Sequence, residues 1–257
     1  MLKLLNFSFV LIAACLISSG CGSDAQEDAG WNGIDGSSAV QAAGSKGTGV
    51  ISGKAVLEGK APAPADIDMS GDFACRSQHP LQDETALQNP DGTLRNVFVY
   101  VKSGAGKYPA PKSPVVLEQK GCVYKPHVVG VQVGQVLEIV NSDPTLHNVH
   151  CVALLNNPFN FAQPNQGMKS DRVFSKPEVM LKMKCDVHGW MSGYVGVVGN
   201  PFFAVTGTDG SFKISGLPAG TYLLEAWHEK YGTLEQAVTV KQGETQSADF
   251  SFQVKRP

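Results

Sequence analysis

Short apolar runs separated by turn residues are the feature that most constrains how this chain can fold. Glycine occurs 28 times and proline 15 times, and long apolar stripes with a 3.6-residue period are absent. Runs of this kind between turns are typical of β-strands, whereas amphipathic helices require longer stretches of helical periodicity. The sequence therefore predicts an all-β protein.

The first twenty residues have the pattern of a targeting segment. Lys3 precedes an apolar stretch at 4–17 that is too short to span a bilayer but matches the core of a signal peptide. Small residues before Cys21 resemble the lipobox of bacterial lipoproteins, in which the cysteine is acylated, and Cys15 is a competing choice. We expect a signal peptide at 1–20 and a lipid anchor on Cys21. The mature chain would then lie on the periplasmic or cell-surface face of a bacterial membrane.

Composition divides the rest of the chain and excludes one class of partner. Residues 21–48 are rich in Gly, Ser, Ala and Asp and have almost no large apolar side chains, which predicts a flexible tether.

The whole chain carries 21 Lys+Arg against 23 Asp+Glu, a formal charge of -2. A balance of this kind gives no basic surface for a nucleic acid.

Residues 113–198 form a middle block with regularly spaced strand candidates, at 114–118, 129–133, 136–140, 179–185 and 194–198. Alternation in the fourth of these places Val179, Leu181, Met183 and Cys185 on one face. We therefore expect Cys185 to leave its strand pointing toward the interior.

Residues 49–112 and 199–257 flank this block and have strand patterns of their own. Strand candidates at 50–57 and 96–101 are separated by a polar, proline-containing stretch at 61–93 that predicts a long loop. On the other side, residues 206–214 have the pattern of a hairpin with an Asp-Gly turn.

The C-terminal flank resembles a known β-sandwich family. Its Thr208-Asp209-Gly210-Ser211-Phe212 and Leu217-Pro218-Ala219-Gly220-Thr221-Tyr222 runs are similar, in slightly compressed form, to the T-D-x-x-G-x-F and L-P-x-G-x-Y patterns of the transthyretin-like carboxypeptidase regulatory family. The resemblance implies that strands near 53–57 and 97–101 complete the same sandwich. The middle block would then be an insertion, and a separate N-terminal strand pair is the alternative.

Two short segments of the middle block carry candidate metal ligands. His147 follows one strand candidate, and Cys185, His188 and Met191 share the loop after another. A thiolate with two imidazoles and a weak thioether is the donor set of blue-copper sites. His147 must come from a distant segment because one short loop cannot surround an ion. Zinc also takes Cys and His, but it rarely takes Met and fits this set less well.

These segments resemble the cupredoxin family of plastocyanin and azurin, through the H-N-V unit at His147 and the C-x-x-H…M loop from Cys185. The resemblance covers the middle block. It implies a Greek-key β-sandwich that holds one copper ion through His147, Cys185, His188 and Met191. The interval between His188 and Met191 is shorter than in plastocyanin-type loops, which is a departure from the family pattern at the axial ligand.

Neighbouring side chains are expected to surround the ligands. Asn148, His150 and Trp190 are candidates for this surrounding layer. His150 also competes with His147 as a ligand, although the resemblance places the ligand in the H-N-V unit. A binuclear copper site would need a second cysteine where Leu181 stands, and is not expected.

The remaining cysteines need partners in an exported chain. Cys75 and Cys122 lie in different parts of the chain and are the expected disulfide, because disulfides persist outside the cytoplasm. Cys151 would then be free and buried. The alternative is a Cys151–Cys185 disulfide, which would remove the thiolate from the metal site.

The expected function is one-electron transfer by a single copper ion in the cell envelope. The partner would be a redox protein, such as a cytochrome c or another envelope electron carrier. The alternatives are a copper chaperone or sensor, or a metal-free module that binds carbohydrate or protein. An enzyme is not expected, because H-x-H pairs for a second copper site are absent from the sequence.

Overall fold

The computed structural model describes residues 47–77 and 81–254, and its regular secondary structure consists of strands and one short helix. The predicted signal peptide at 1–20, Cys15, Cys21 and nearly all of the tether at 21–48 lie outside the described residues. The elements are β1 Gly49–Glu58, α1 Phe73–Arg76, β2 Phe98–Ser103, β3 Val115–Gln119, β4 Tyr124–Lys125, β5 Val128–Gln132, β6 Val136–Asn141, β7 His147–Val152, β8 Phe159–Gln163, β9 Lys169–Val173, β10 Glu178–Lys184, β11 Ser192–Val198, β12 Phe203–Val205, β13 Ser211–Leu217, β14 Gly220–His228, β15 Gly232–Val240, β16 Thr245–Ser247 and β17 Phe250–Gln253. The prediction of an all-β fold is confirmed.

No helix within the described residues is long and apolar enough to cross a membrane.

An outer sandwich is built from the strands on both sides of the middle block. One sheet has the order β13-β1-β16, with β17 also paired to β1, and the other has the order β12-β2-β14-β15. Alternate residues of each strand point between the two sheets and bury a common apolar core. That core includes Ile51, Leu57, Val99, Phe212, Leu224 and Phe252. Because β1 and β2 precede the middle block and the other strands follow it, the middle block is an insertion in this sandwich.

The turn at Asp209-Gly210 joins two sheets instead of closing a hairpin, so the predicted hairpin is wrong. The strand before the turn, β12, pairs with β2, and the strand after it, β13, pairs with β1. Gly207 N–H still donates to the Ser211 carbonyl, which makes the turn tight. The long-range pairings win because they bury apolar side chains of both strands in the core.

The middle sandwich is formed by β3 to β11. Its sheets have the orders β4-β3-β6-β9 and β5-β11-β10-β7-β8. Between them lies a core that includes Leu181, Met183 and Cys185. Val179 does not share their face, contrary to the alternation, because the register of β10 shifts between Glu178 and Leu181.

The two sandwiches meet along a wall of aromatic rings. Gly130 of β5 pairs with Gly196 of β11, and the rings of Phe203 and Phe98 lie on them. A Cβ atom on Gly130 would lie 2.4 Å from the Phe203 ring, and one on Gly196 would lie 2.6 Å from the Phe98 ring. Side chains at either position would therefore push the sheets apart.

A short part of the long loop, which we call the cap (residues 67–77), covers one end of the middle sandwich. Asp72 caps the N-terminus of α1 and accepts from the N–H groups of Ala74 and Cys75. A disulfide joins Cys75 to Cys122, which lies just before β4. Ile67 and Met69 pack against this disulfide. The cap is thereby fixed to the sandwich that it covers.

Candidate metal centre

The strand pairing of the middle sandwich brings two distant segments together. His147 is the first residue of β7, and Cys185 directly follows the last residue of β10. These strands are antiparallel neighbours, so the start of one lies beside the end of the other. The loop that continues to Met191 is closed by its own backbone: Cys185 N–H donates to the Met191 carbonyl, and Met191 N–H donates to the His188 carbonyl.

The nitrogen and sulfur atoms of three side chains converge. His147 Nδ1 lies 3.1 Å from His188 Nδ1, and Cys185 Sγ lies 3.7 Å from the same His188 atom. One potential ligand atom from each residue lies within 4.8 Å of the others. All three side chains are buried. The separations of 3.1 and 3.7 Å are short enough for one ion to contact both atoms of each pair at ordinary bond lengths of about 2.0–2.3 Å.

A buried carboxylate holds the far side of the His147 ring. His147 Nε2 lies 2.8 Å from Asp143 Oδ2. The same carboxylate accepts from the backbone N–H groups of Gly121 and Cys122, each at 2.8 Å. Because Nε2 is occupied in this way, Nδ1 is the ring nitrogen left to face the cluster.

The cap supplies a second carboxylate, which holds the His188 ring. His188 Nε2 lies 3.2 Å from Asp72 Oδ2, and that oxygen also accepts from Thr145 Oγ1 at 3.0 Å. Both imidazoles therefore turn Nδ1 toward Cys185 and Nε2 toward a carboxylate. An imidazole that binds a metal through one nitrogen commonly donates from the other to a carboxylate, which fixes the ring and increases its basicity.

The electrostatics of the cluster favour a thiolate. Burial alone would raise the pKa of Cys185, but hydrogen bonds to His147, to His188 and to the Asn148 N–H outweigh it and lower this pKa to about 5. Burial likewise lowers the pKa of His147, but Asp143 and Cys185 outweigh burial and raise it to about 9. The pKa of His188 is raised chiefly by its hydrogen bond to Cys185. The protein thus stabilises a sulfur anion in a buried place.

This donor set fits a copper ion. One thiolate and two neutral imidazole nitrogens are ligands that copper shares with zinc, and a thioether beside them favours copper. Met191 lies in the same loop and is buried in the same core cluster as Cys185. The carboxylates on both Nε2 atoms are the groups expected around metal-bound histidines.

The other predicted neighbours occupy different positions. Asn148 donates its backbone N–H to Cys185 Sγ at 3.4 Å. Trp190 donates Nε1–H to the Cys122 carbonyl, and its ring centroid lies 5.1 Å from that of His188. His150 points away from the cluster and is bound to Asp186 at 2.8 Å.

Sequence reasoning missed both carboxylates. Asp143 could have been noticed, because it lies four residues before His147 in the same turn. Nothing in the sequence around Asp72 connects it to His188. Cys75 and Cys122 form a disulfide, and Cys151 and Cys185 are free thiols, so the alternative bridge between the last two is not formed.

One family model matches part of the outer sandwich. Residues 195–253 match the family model of the carboxypeptidase regulatory-like domain. This range holds β12 to β17, so the resemblance stated for the C-terminal flank is confirmed there. No curated protein matches the chain.

Solved structures similar to this chain include copper proteins. One is a copper-containing nitrite reductase from Thermus scotoductus SA-01, with 25% identity and a TM-score of 0.30, covering 38% of this chain and 25% of that chain. A purple cupredoxin from Nitrosopumilus maritimus has 22% identity and a TM-score of 0.28, over 34% of this chain and 99% of that chain. An amicyanin in the Cu(I) state has 19% identity and a TM-score of 0.30, over 38% of this chain and 97% of that chain. The match thus spans a quarter of the nitrite reductase. The assignment of the metal centre depends on the side chains described above.

Proposed function

We propose that this chain binds one copper ion through His147, Cys185 and His188, with Met191 as the axial ligand, and that it carries single electrons. One observation carries the proposal. A thiol with a lowered pKa and two imidazole nitrogens converge in a buried place, with ligand atoms within 4.8 Å of one another. Each imidazole is also fixed by a carboxylate on its other nitrogen.

A copper ion held there would supply one-electron redox chemistry. The role of the polypeptide is to keep the ligands in place. His147 and Cys185 are fixed by paired strands, and Asp143 and Asp72 hold the two rings against rotation. Ligands that cannot move change little between oxidation states, which favours rapid electron transfer. Burial of the three side chains also excludes water from the centre.

A single centre supports an electron carrier in preference to an enzyme. Within residues 47–77 and 81–254, every group of three potential metal ligands contains His147 or His188. A copper oxidase or nitrite reductase would need a second, separate histidine cluster.

Two features support an envelope protein that meets a redox partner. The disulfide of Cys75 and Cys122 suits an oxidising compartment, consistent with export and with a lipid anchor on Cys21. Three exposed apolar side chains, Phe73, Leu146 and Val187, each directly adjoin a residue of the centre in sequence. Exposed apolar side chains beside the centre suit transient docking of a cytochrome c or a similar carrier.

Substitution of the thiol tests the proposal. Cys185→Ser should reduce bound copper from one equivalent to near zero and abolish the thiolate-to-copper absorption band. The matched control is Cys151→Ser, which removes the other buried free thiol and should leave both copper content and the band unchanged. Undiminished copper in the Cys185→Ser protein would contradict the proposed site.

Redox titration separates electron transfer from metal delivery. The copper-loaded protein should show a visible band that bleaches on reduction and returns on oxidation, with copper retained throughout. Loss of the ion on each reduction would instead favour a copper chaperone. Preferential retention of zinc over copper in competition would overturn the metal assignment.

A further inference from the structure

The Cys75–Cys122 disulfide lies directly against the outer side of the metal centre. Both cysteines are fully buried. Cys75 Sγ lies 3.7 Å from His188 Nε2, and Cys185 Sγ lies 3.7 Å from Nδ1 of the same ring. The imidazole therefore stands between two sulfur positions at equal distances. Only one of these sulfurs belongs to the centre described above.

Each sulfur of the disulfide has a carboxylate and an imidazole beside it. Potential ligand atoms of Asp72, Cys75 and His188 lie within 4.8 Å of one another, and the same holds for Cys122, Asp143 and His147. The two groups adjoin because the disulfide links them. As a disulfide, these sulfurs are not thiolate ligands. As a dithiol, they would place two soft donors beside two carboxylates and two Nε2 atoms.

We propose that in the dithiol state Cys75 and Cys122 form a second metal site, for a soft ion such as Cu(I), on the Nε2 side of His147 and His188. The two thiolates are the principal ligands because thiolates select Cu(I). Asp72 and Asp143 lie next to them as further donors. Each thiol releases one proton when the ion binds.

The dithiol state is connected to the disulfide by thiol–disulfide exchange. A dithiol reductant gives two electrons and two protons to the Cys75–Cys122 bond, which becomes two thiols while the reductant becomes a disulfide. The reverse exchange with a protein disulfide closes the bond after export. An ion held by the open pair lies one imidazole ring away from Cys185. The second site is thus placed directly beside the centre, on the other side of the His188 ring.

Counting bound Cu(I) tests this site. The full chain is reduced with a phosphine under anaerobic conditions, freed of reductant and titrated with Cu(I) against a chromophoric Cu(I) chelator. The dithiol form should bind two equivalents with high affinity and the disulfide form one. Free thiols are counted by alkylation and mass spectrometry in the same samples. One equivalent in both forms would overturn the proposal, as would a disulfide that the reductant cannot open.

Two variants locate the additional ion. Cys75→Ser/Cys122→Ser should bind one equivalent whether or not it is reduced, and it keeps the four other cysteines of the chain as an internal control. Cys185→Ser should bind one equivalent when reduced and none as the disulfide. This result separates the two sites: loss of all binding from reduced Cys185→Ser would contradict the second site and leave the proposed function intact. If the double variant folds poorly, the number of Cu(I) ions bound by the dithiol and disulfide forms of the wild-type chain still tests the proposal.

Discussion

The two imidazoles of the centre are held in the same way by regions of different origin. His147 is bonded to Asp143, four residues earlier in the middle sandwich, whereas His188 is bonded to Asp72 of the cap, 116 residues away. Asp143 is buried and also binds two backbone N–H groups. Asp72 is partly exposed and begins a helix of four residues. One side of the centre is therefore built locally, and the other depends on a loop of the outer sandwich.

This difference indicates which of the two carboxylates can be substituted without loss of the fold. The Asp143 side is part of a folded core and cannot move without disturbing the turn at Cys122. The Asp72 side is attached by one disulfide and by a small apolar cluster around Met69. We expect loss of the Asp143 carboxylate to affect folding as well as the metal, and loss of the Asp72 carboxylate to affect mainly the metal.

Removal of the disulfide should give the largest loss of stability. Cys75→Ser/Cys122→Ser frees a loop with a sequence separation of 47 residues, which in a chain-entropy treatment costs about 4 kcal/mol of unfolding free energy. Denaturant unfolding of the copper-free protein measures it. Reduced wild-type protein should match the variant. A variant as stable as the oxidised wild type would show that the cap is held by other contacts.

Asp143→Ala should be next in size. It leaves the His147 ring and the N–H groups of Gly121 and Cys122 without their acceptor, which should cost about 3 kcal/mol. Copper affinity should fall by about 10- to 100-fold, because the ring loses its orientation. Asp143→Asn keeps one acceptor oxygen and should lie between the two. Unfolding curves and copper competition would detect both effects. Wild-type stability and copper affinity in Asp143→Ala would show that Asp143 does not hold the His147 ring in place.

Another imidazole–carboxylate pair outside the centre serves as a reference. His127, before β5, is bonded to Glu229, after β14, and its Nδ1 lies 3.8 Å from Glu84. Burial lowers the pKa of His127, but Glu229, Glu84 and Asp83 outweigh it and raise this pKa above 6.5. A raised folded pKa means that the pair stabilises fully below pH 6.5 and that the contribution is lost as the pH rises through the folded value.

His127→Gln should therefore lower the unfolding free energy by about 2 kcal/mol at pH 6, with the difference shrinking as the pH is raised. Urea unfolding at pH 6 and pH 9 measures the difference. Glu84→Gln, at a more exposed site, should have a smaller effect. A difference that grows with pH would contradict the assignment of a protonated His127.

Asp72→Asn should have the smallest effect on stability, below about 1 kcal/mol, because asparagine is also a good N-cap. Its effect should fall on the metal: copper affinity should decrease by about 10-fold as His188 loses its charged partner. Asp68→Asn is a matched control in the same cap, at an exposed aspartate that bonds only locally to Ser70. If Asp72→Asn destabilised the fold as strongly as Asp143→Ala, the two sides of the centre would be equivalent after all.

The sequence indicated the parts of the fold that depend on local pattern. Alternation in β10 places Cys185 toward the interior, and the structure buries it together with Leu181 and Met183. The same alternation fails at Val179, because the register of β10 shifts between Glu178 and Leu181 and Val179 packs against a different cluster, which includes Phe98. The hairpin prediction failed for a related reason, because β12 and β13 each find a better partner far along the chain.

The site divides in the same way. His147 and Cys185 can be singled out because each accompanies a strand, and Asp143 is close enough to His147 for a local search to find it. Asp72 lies in a loop without periodicity, and the disulfide together with the apolar cluster around Met69 brings it to His188. A contact of that kind depends on tertiary structure, and composition and spacing contain no signal for it.

The shared aromatic wall has a consequence for how such a chain can evolve. Strand β2 buries Val99 in the core of the outer sandwich and Phe98 against the middle sandwich. One strand of the outer sandwich is therefore covered by the inserted domain. Excising residues 113–198 would expose Phe98 and Phe203 on the outer sandwich, and an exposed apolar patch of this kind favours aggregation. The two sandwiches therefore depend on each other to cover apolar surface.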